Sequence, residues 1–214
     1  VSTADQSSSE RVYRQTKERI LSGDARGGEL LSEVEVATAL GVSRTPVHEA
    51  FLRLAAEDLL HLMPRRGAVV VPPTVGEAVD LLEMRVALET AAVRRVLRSP
   101  DSVGRLVGEL EALLDEQRSG ASSGDLRQYA AADDAFHRHI VEIAGNSIGQ
   151  RFYCSLSDRQ RRMLAGAVEA DPGQVARLID EHARLISAIA RRDTGLFEAE
   201  LLRHLEATYR VTLT

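Results

Sequence analysis

The sequence has a single cysteine, Cys154, among 214 residues, which excludes an internal disulfide and a thiolate zinc cluster. That scarcity fits a reducing cytoplasm, and a free cysteine of this kind is expected to be a buried, inert thiol. Proline is also scarce, six residues beside 15 glycines, so long low-complexity linkers are not expected. No apolar run approaches the ~20 residues that a membrane span needs. The first nine residues lack the apolar core of a secretory signal and are expected to form a flexible N-terminal arm. The protein is therefore expected in the cytoplasm, without a membrane partner. An excess of basic residues is missing too: 27 Lys and Arg stand against 32 Asp and Glu, a net charge of −5. Residues 1–73 hold nine basic and ten acidic side chains, and the remainder eighteen and twenty-two, so charge alone does not point to nucleic acid. Phosphate contacts depend instead on where individual arginines sit.

What is there is the composition of an ordinary globular protein, 44% hydrophobic and 28% charged, long enough for two small domains. The pattern changes near residue 72. Before it, short amphipathic segments run over Glu10–Leu21, Glu33–Leu40 and Ser43–Glu57, with Ser32 and Ser43 as N-caps and Gly41 as a stop. His61-Leu62-Met63, Pro64-Arg65-Arg66-Gly67 and Ala68-Val69-Val70-Val71 then read as a two-stranded hairpin with an Arg-Gly tip. After Pro72-Pro73 the period is helical to the end, with helices expected over 75–98, 101–118, 125–144, 147–168, 173–191 and 194–211. Short breaks between them suit antiparallel packing. The expected fold is mainly α: an N-terminal winged helix-turn-helix (three helices plus a two-stranded wing) over residues 10–73, followed by an antiparallel six-helix bundle over 74–214.

In a helix-turn-helix the second helix enters the major groove with its N-terminal residues on base edges. Here that helix begins Ser43-Arg44-Thr45-Pro46-Val47-His48. Arg44 suits a guanine or a phosphate, and the hydroxyls of Ser43 and Thr45 suit phosphate oxygens at a helix N-terminus. His48 and Arg53 follow on the same helix, and Arg65, Arg66 and Gly67 form the wing tip. A Gly-Val-Ser turn alone is equally compatible with ordinary helix packing. The longer string does more: Gly41-Val42-Ser43-Arg44-Thr45-Pro46-Val47-x-Glu49-Ala50, then Leu54, Leu59-Leu60 and Arg66-Gly67-Ala68-Val69-Val70, closely resembles the winged-helix domain of the GntR family. The chain departs from that pattern at His48, where most relatives carry arginine, at Asp58, where many carry glycine, and at Val34, where some carry a basic residue.

Three histidines are placed suggestively. Asp133 and His137 are four apart on one helix face, while His182 and His204 each stand among apolar residues of later helices. Spacing leaves open that they are ordinary hydrogen-bonded histidines. However, Asp133-x-x-Phe136-His137, Ile143-x-Gly145-Asn146, Glu181-His182-x-x-Leu185-x-x-Ala188-Ile189 and His204 resemble the FCD ligand domain of FadR-type GntR regulators. The resemblance implies a metal site of Asp133, His137, His182 and His204, which suits Zn²⁺, Ni²⁺ or Mn²⁺. Arg85 fits the family's Arg-x-x-x-Glu pattern, either as an ion pair with Glu89 or as a cavity-facing hand for an effector carboxylate. Asn146 is either a helix C-cap or a polar wall of that pocket. The function implied is a homodimeric repressor on a pseudo-palindromic double-stranded operator, relieved by a small carboxylate effector. Alternatives are a metal sensor, a purely structural metal and, more remotely, a metallohydrolase.

Overall fold

A computed structural model of the chain describes residues 3–212, and the side chains of all of these except 3–7, 169, 170 and 172. The chain divides into two compact units, one ending at Pro73 and one beginning at Thr74. The fold is mainly helical, with a small antiparallel sheet in the first unit.

The first unit contains α1 (Thr3–Leu21), α2 (Glu33–Leu40) and α3 (Arg44–Ala56), with strands β1 (Leu30–Leu31), β2 (Leu60–Met63) and β3 (Gly67–Val70). Residues 3–9, expected to form a flexible arm, belong instead to α1, and Ser9 is buried. Ser32 caps α2 by accepting the amide of Glu35, and Gly41 ends it in the left-handed region at φ 64°. Ser43 precedes α3 in an extended conformation but makes no side-chain cap bond, so its hydroxyl stays available. The wing is a three-stranded sheet, not the expected two-stranded hairpin, with β3 between β1 and β2. Gly67 explains the extra strand. At φ 110°, a Cβ on it would lie 2.1 Å from the carbonyl oxygen of Leu31, so only glycine lets β1 close against β3 here. Asp58 takes the left-handed conformation at φ 57°, which a short polar side chain tolerates better than most. Val12, Val47, Phe51, Leu54, Leu60 and Val70 form the shared core of helices and sheet.

The second unit contains α4 (Val75–Val96), α5 (Pro100–Ser123), α6 (Leu126–Ile143), α7 (Ser147–Ala170), a 3₁₀ turn at Pro172–Gln174, α8 (Val175–Ala190) and α9 (Thr194–Tyr209). Thr74, Asp125 and Asp193 cap α4, α6 and α9 through side-chain oxygens. One continuous core runs through all six helices, with Leu82, Leu110, Phe136, Tyr153, Leu178 and Phe197 among its fully buried members. Helix α5 is longer than its sequence pattern suggests. It continues through the Ser- and Gly-rich stretch expected as a loop, and only Gly124 and Asp125 connect it to α6. Gly120 accounts for this: a Cβ there would lie 2.7 Å from the backbone nitrogen of Tyr129. The glycine is the contact point that lets α5 and α6 lie against each other.

Gly120→Ala is accordingly expected to force those helices apart and to destabilise the protein by ~1–3 kcal/mol, the usual cost of overpacking. Chemical denaturation monitored by circular dichroism checks this, with Gly104→Ala, at a position with open space, as the control.

Candidate functional site

Two places bring together the residues that carry chemistry, one in each unit. In the first, an open groove of about 760 Å³ runs between α3 and the β2–β3 turn, lined among others by Arg44, Thr45, His48, Arg65 and Gly67. Ser43, Arg44, Thr45 and His48 are exposed on the first turns of α3, and Arg65 and Arg66 on the turn between the strands. Arg44 Nη2 lies 3.2 Å from Glu33 Oε2, and His48 Nδ1 lies 2.8 Å from Glu33 Oε1. The His48 bond, joined by that from Arg44, holds the Glu33 carboxyl below its ordinary pKa against the opposing effect of burial.

Arg53 does not join this face, which corrects its expected place in DNA contact. Nine residues past Arg44, it lies half a turn round the helix and points at α1. There it donates to Glu10 at 2.8 Å and stacks on the Tyr13 ring at 3.8 Å. Cys154, expected to be buried, is exposed on α7.

In the second unit the imidazoles of His137, His182 and His204 converge from α6, α8 and α9. Their Nε2 atoms lie 3.2 Å apart between His137 and His182, and 3.3 Å apart between His182 and His204. All three rings are buried. Each fixes its other nitrogen on an oxygen: His137 Nδ1 on Glu89 Oε2 at 2.8 Å, His182 Nδ1 on Gln117 Oε1 at 2.6 Å, and His204 Nδ1 on Glu181 Oε2 at 2.9 Å. The Gln117 amide nitrogen donates to the Ala132 carbonyl, so its oxygen is the atom that faces His182. Asp133 Oδ1 lies 3.5 Å from His182 Nε2 and accepts from the Tyr129 hydroxyl.

Whether these residues fit a metal ion is answered by where their protons must be. Burial pushes the pKa of all three imidazoles down, well down for His137 and His182, so the rings are neutral. With each Nδ1 donating to an oxygen, the single proton of a neutral ring is used there. The three Nε2 lone pairs are left facing one another, an arrangement that repels itself until something positive stands between them. Orientation of ligating histidines by oxygen acceptors is the habit of metal sites. Burial also raises the pKa of Asp133, to about 7, with Arg85 opposing the rise. A cation nearby would reverse that penalty. His137, His182 and His204 can thus hold a divalent ion, with Asp133 beside them.

Arg85 is buried on α4. Its Nε donates to Glu89 Oε1 at 3.0 Å and its Nη1 to the Tyr209 hydroxyl at 2.8 Å, while Nη2 has no hydrogen-bond partner among the described residues. Both sequence alternatives for Arg85 therefore meet in one side chain: it pairs with Glu89 and keeps one donor spare. Glu89 also accepts from the Tyr153 hydroxyl at 3.0 Å, so three donors surround its buried carboxylate and join Arg85 to His137. Asn146 does neither thing expected of it. It is exposed, follows Gly145 at φ 66°, and caps the start of α7 by accepting the Gly149 amide. His139, two residues past His137, points away and pairs with Glu109 at 2.7 Å.

Comparison with known proteins agrees with both halves. Residues 8–70 match the bacterial regulatory proteins of the gntR family, and residues 80–207 match the FCD domain. The gluconate operon transcriptional repressor of Bacillus licheniformis is 28% identical over 200 residues, covering 92% of this chain and 81% of that protein. The HTH-type transcriptional repressor RspR of Escherichia coli (strain K12) is 29% identical over 200 residues, covering 92% and 85%. Among solved structures, E. coli McbR/YncC superposes with a TM-score of 0.72 at 23% identity, covering 98% of this chain and 96% of that one, which establishes likeness of fold. With both matches in sequence order and the FCD match alone spanning more than half its length, the chain belongs to the gntR family of bacterial transcriptional regulators, which are not enzymes, and its helical unit is an FCD domain.

Proposed function

We propose that this regulator represses transcription as a homodimer on a pseudo-palindromic operator, and that a small organic acid, bound beside a divalent metal ion, sets its affinity for DNA. In this reading residues 10–73 are the DNA-binding domain and residues 74–214 the effector-binding domain. Helix α3 brings Ser43, Arg44, Thr45 and His48 to the major groove, and Arg65, Arg66 and Gly67 meet the backbone from the wing. Two-fold symmetry in the protein matches two-fold symmetry in the operator. Repression accords with the names of the relatives, which are called repressors.

The observation that carries the sensing half is the convergence of three Nε2 lone pairs, those of His137 and His204 lying 3.2 and 3.3 Å from that of His182, each ring held by an oxygen behind it. Three imidazoles and the Asp133 carboxylate are a donor set for Zn²⁺, Ni²⁺ or Mn²⁺. Such an ion supplies positive charge and open coordination positions for the oxygens of an acid. The chain's own part is to exclude water with Phe136, Tyr129 and Tyr153, which are fully buried. Arg85 then presents its spare Nη2 to the acid's carboxylate. A relative named for the gluconate operon fits that class, since gluconate is a carboxylic acid. The acid alters DNA binding only as far as it binds one arrangement of the two domains better than another.

Three outcomes are expected. The purified protein carries about one divalent ion per chain by elemental analysis, and Asp133→Ala or His182→Ala lowers that content. Glu89→Gln, which leaves the size of the side chain but removes the charge behind His137, weakens Zn²⁺ binding by about 10–100-fold in a competition titration with a chromogenic chelator. After selection of a duplex from a random library, a panel of small acids shifts operator affinity by roughly 5–150-fold. Arg85→Lys keeps the metal and loses this response. Metal content unchanged in the Asp133 and His182 variants refutes the site, and metal alone switching DNA binding refutes acid sensing.

A further inference from the structure

His48 is exposed on the first turns of α3, and its geometry limits which hydrogen-bonding group it can present. Its Nδ1 is 2.8 Å from Glu33 Oε1, and the same carboxylate holds Arg44 at 3.2 Å through its other oxygen. His48 is about half exposed and Glu33 is largely shielded, so the carboxylate lies behind the imidazole and the ring edge faces the groove. Its Nε2 makes no hydrogen bond within the chain among the described residues.

We infer that Glu33 fixes the tautomer of His48, so that the ring offers the DNA a hydrogen-bond acceptor at Nε2, making this residue a determinant of operator sequence. The chemistry is short. An ionised carboxylate can only accept, so the ring proton must sit on Nδ1, and Nε2 carries a lone pair. Glu33 stays ionised because His48 and Arg44 both favour its charged form. In the major groove a lone pair pairs with amino groups, adenine N6 or cytosine N4, whereas an arginine at the same place pairs with guanine O6 and N7. The charged groups that face this ring are Glu33 from α2, Arg44 and Glu49 from α3, and Arg65 and Arg66 from the turn of the wing. Among them Glu33 is the one in contact with the imidazole.

The inference rests on α3 being the helix that reads the groove, and the test separates the two. Full-length protein is used to select duplexes from a randomised library, alongside His48→Arg and Glu33→Gln. Base preference at each position is the readout, because it is insensitive to uniform changes in affinity. Wild type should favour adenine or cytosine by about fivefold at one position of each half-site, the weight of a single hydrogen bond. At that position His48→Arg should select guanine. Glu33→Gln should bind DNA yet lose the preference, because an amide can face either tautomer. Identical preferences in wild type and His48→Arg, or a preference unchanged by Glu33→Gln, overturn the inference while leaving α3 as the reader. Failure of every protein to enrich any sequence overturns the reading of α3 itself, and the inference with it.

Discussion

Three imidazole lone pairs aimed at one point inside an apolar bundle are the constraint on which the FCD unit depends. Neutral rings brought edge to edge at 3.2 and 3.3 Å do not attract one another, so they must be held there. The holding is distributed. Helix α4 supplies Glu89, α5 supplies Gln117 and α8 supplies Glu181, each fixing one ring from behind. Buried polar groups of this kind are tolerable only when every member has its partner. Glu89 meets that condition through Arg85, Tyr153 and His137 together. The apolar core around them, including Phe136 stacked on the His182 ring at 4.6 Å, leaves the rings little freedom to turn away.

The charges around this point are unequally buried. Glu89 and Arg85 pair within the core at 3.0 Å, and burial raises the pKa of Glu89 and Asp133 alike. Glu181 meets Arg177 at 2.7 Å and Arg184 at 3.8 Å, both of which are partly exposed. A cation held by the three imidazoles would favour the ionised form of Asp133 beside it.

How much of this could be read from the sequence depended on whether a residue's role is local. The helices of both units follow from periodicity and caps, and their bounds fall within a few residues of the pattern, except where α1 extends back to Thr3 and where Gly120 lets α5 run on against Tyr129. His137, His182 and His204 were found because their string resembles a known family, not because spacing alone distinguishes a ligand from a core histidine. Gln117 and the tyrosines at 129, 153 and 209 gave no such signal. Their roles arise only when helices distant in sequence are packed, as with Arg85 and Tyr209, which are 124 positions apart. Arg53 and Asn146 failed in the opposite way. Each has a residue type that suits the assigned role, but helix geometry turns one toward α1, and the start of α7 claims the other as its cap.

A single chemical device recurs in the two units with opposite results. Glu89 behind His137 and Glu33 behind His48 both present a carboxylate to Nδ1 at 2.8 Å and leave Nε2 facing outward. At His137 the ring is 1% exposed, and burial drives its pKa well down, so the proton stays on Nδ1 and Nε2 remains a lone pair for a cation. At His48 the ring is 56% exposed, and Nε2 faces the open groove beside α3. Burial decides whether a carboxylate-oriented histidine becomes a ligand or a reader of hydrogen-bond polarity. Under the proposed function the two sites would answer to different variables: the bundle to cations and anions, the groove beside α3 to the donors and acceptors of a base sequence.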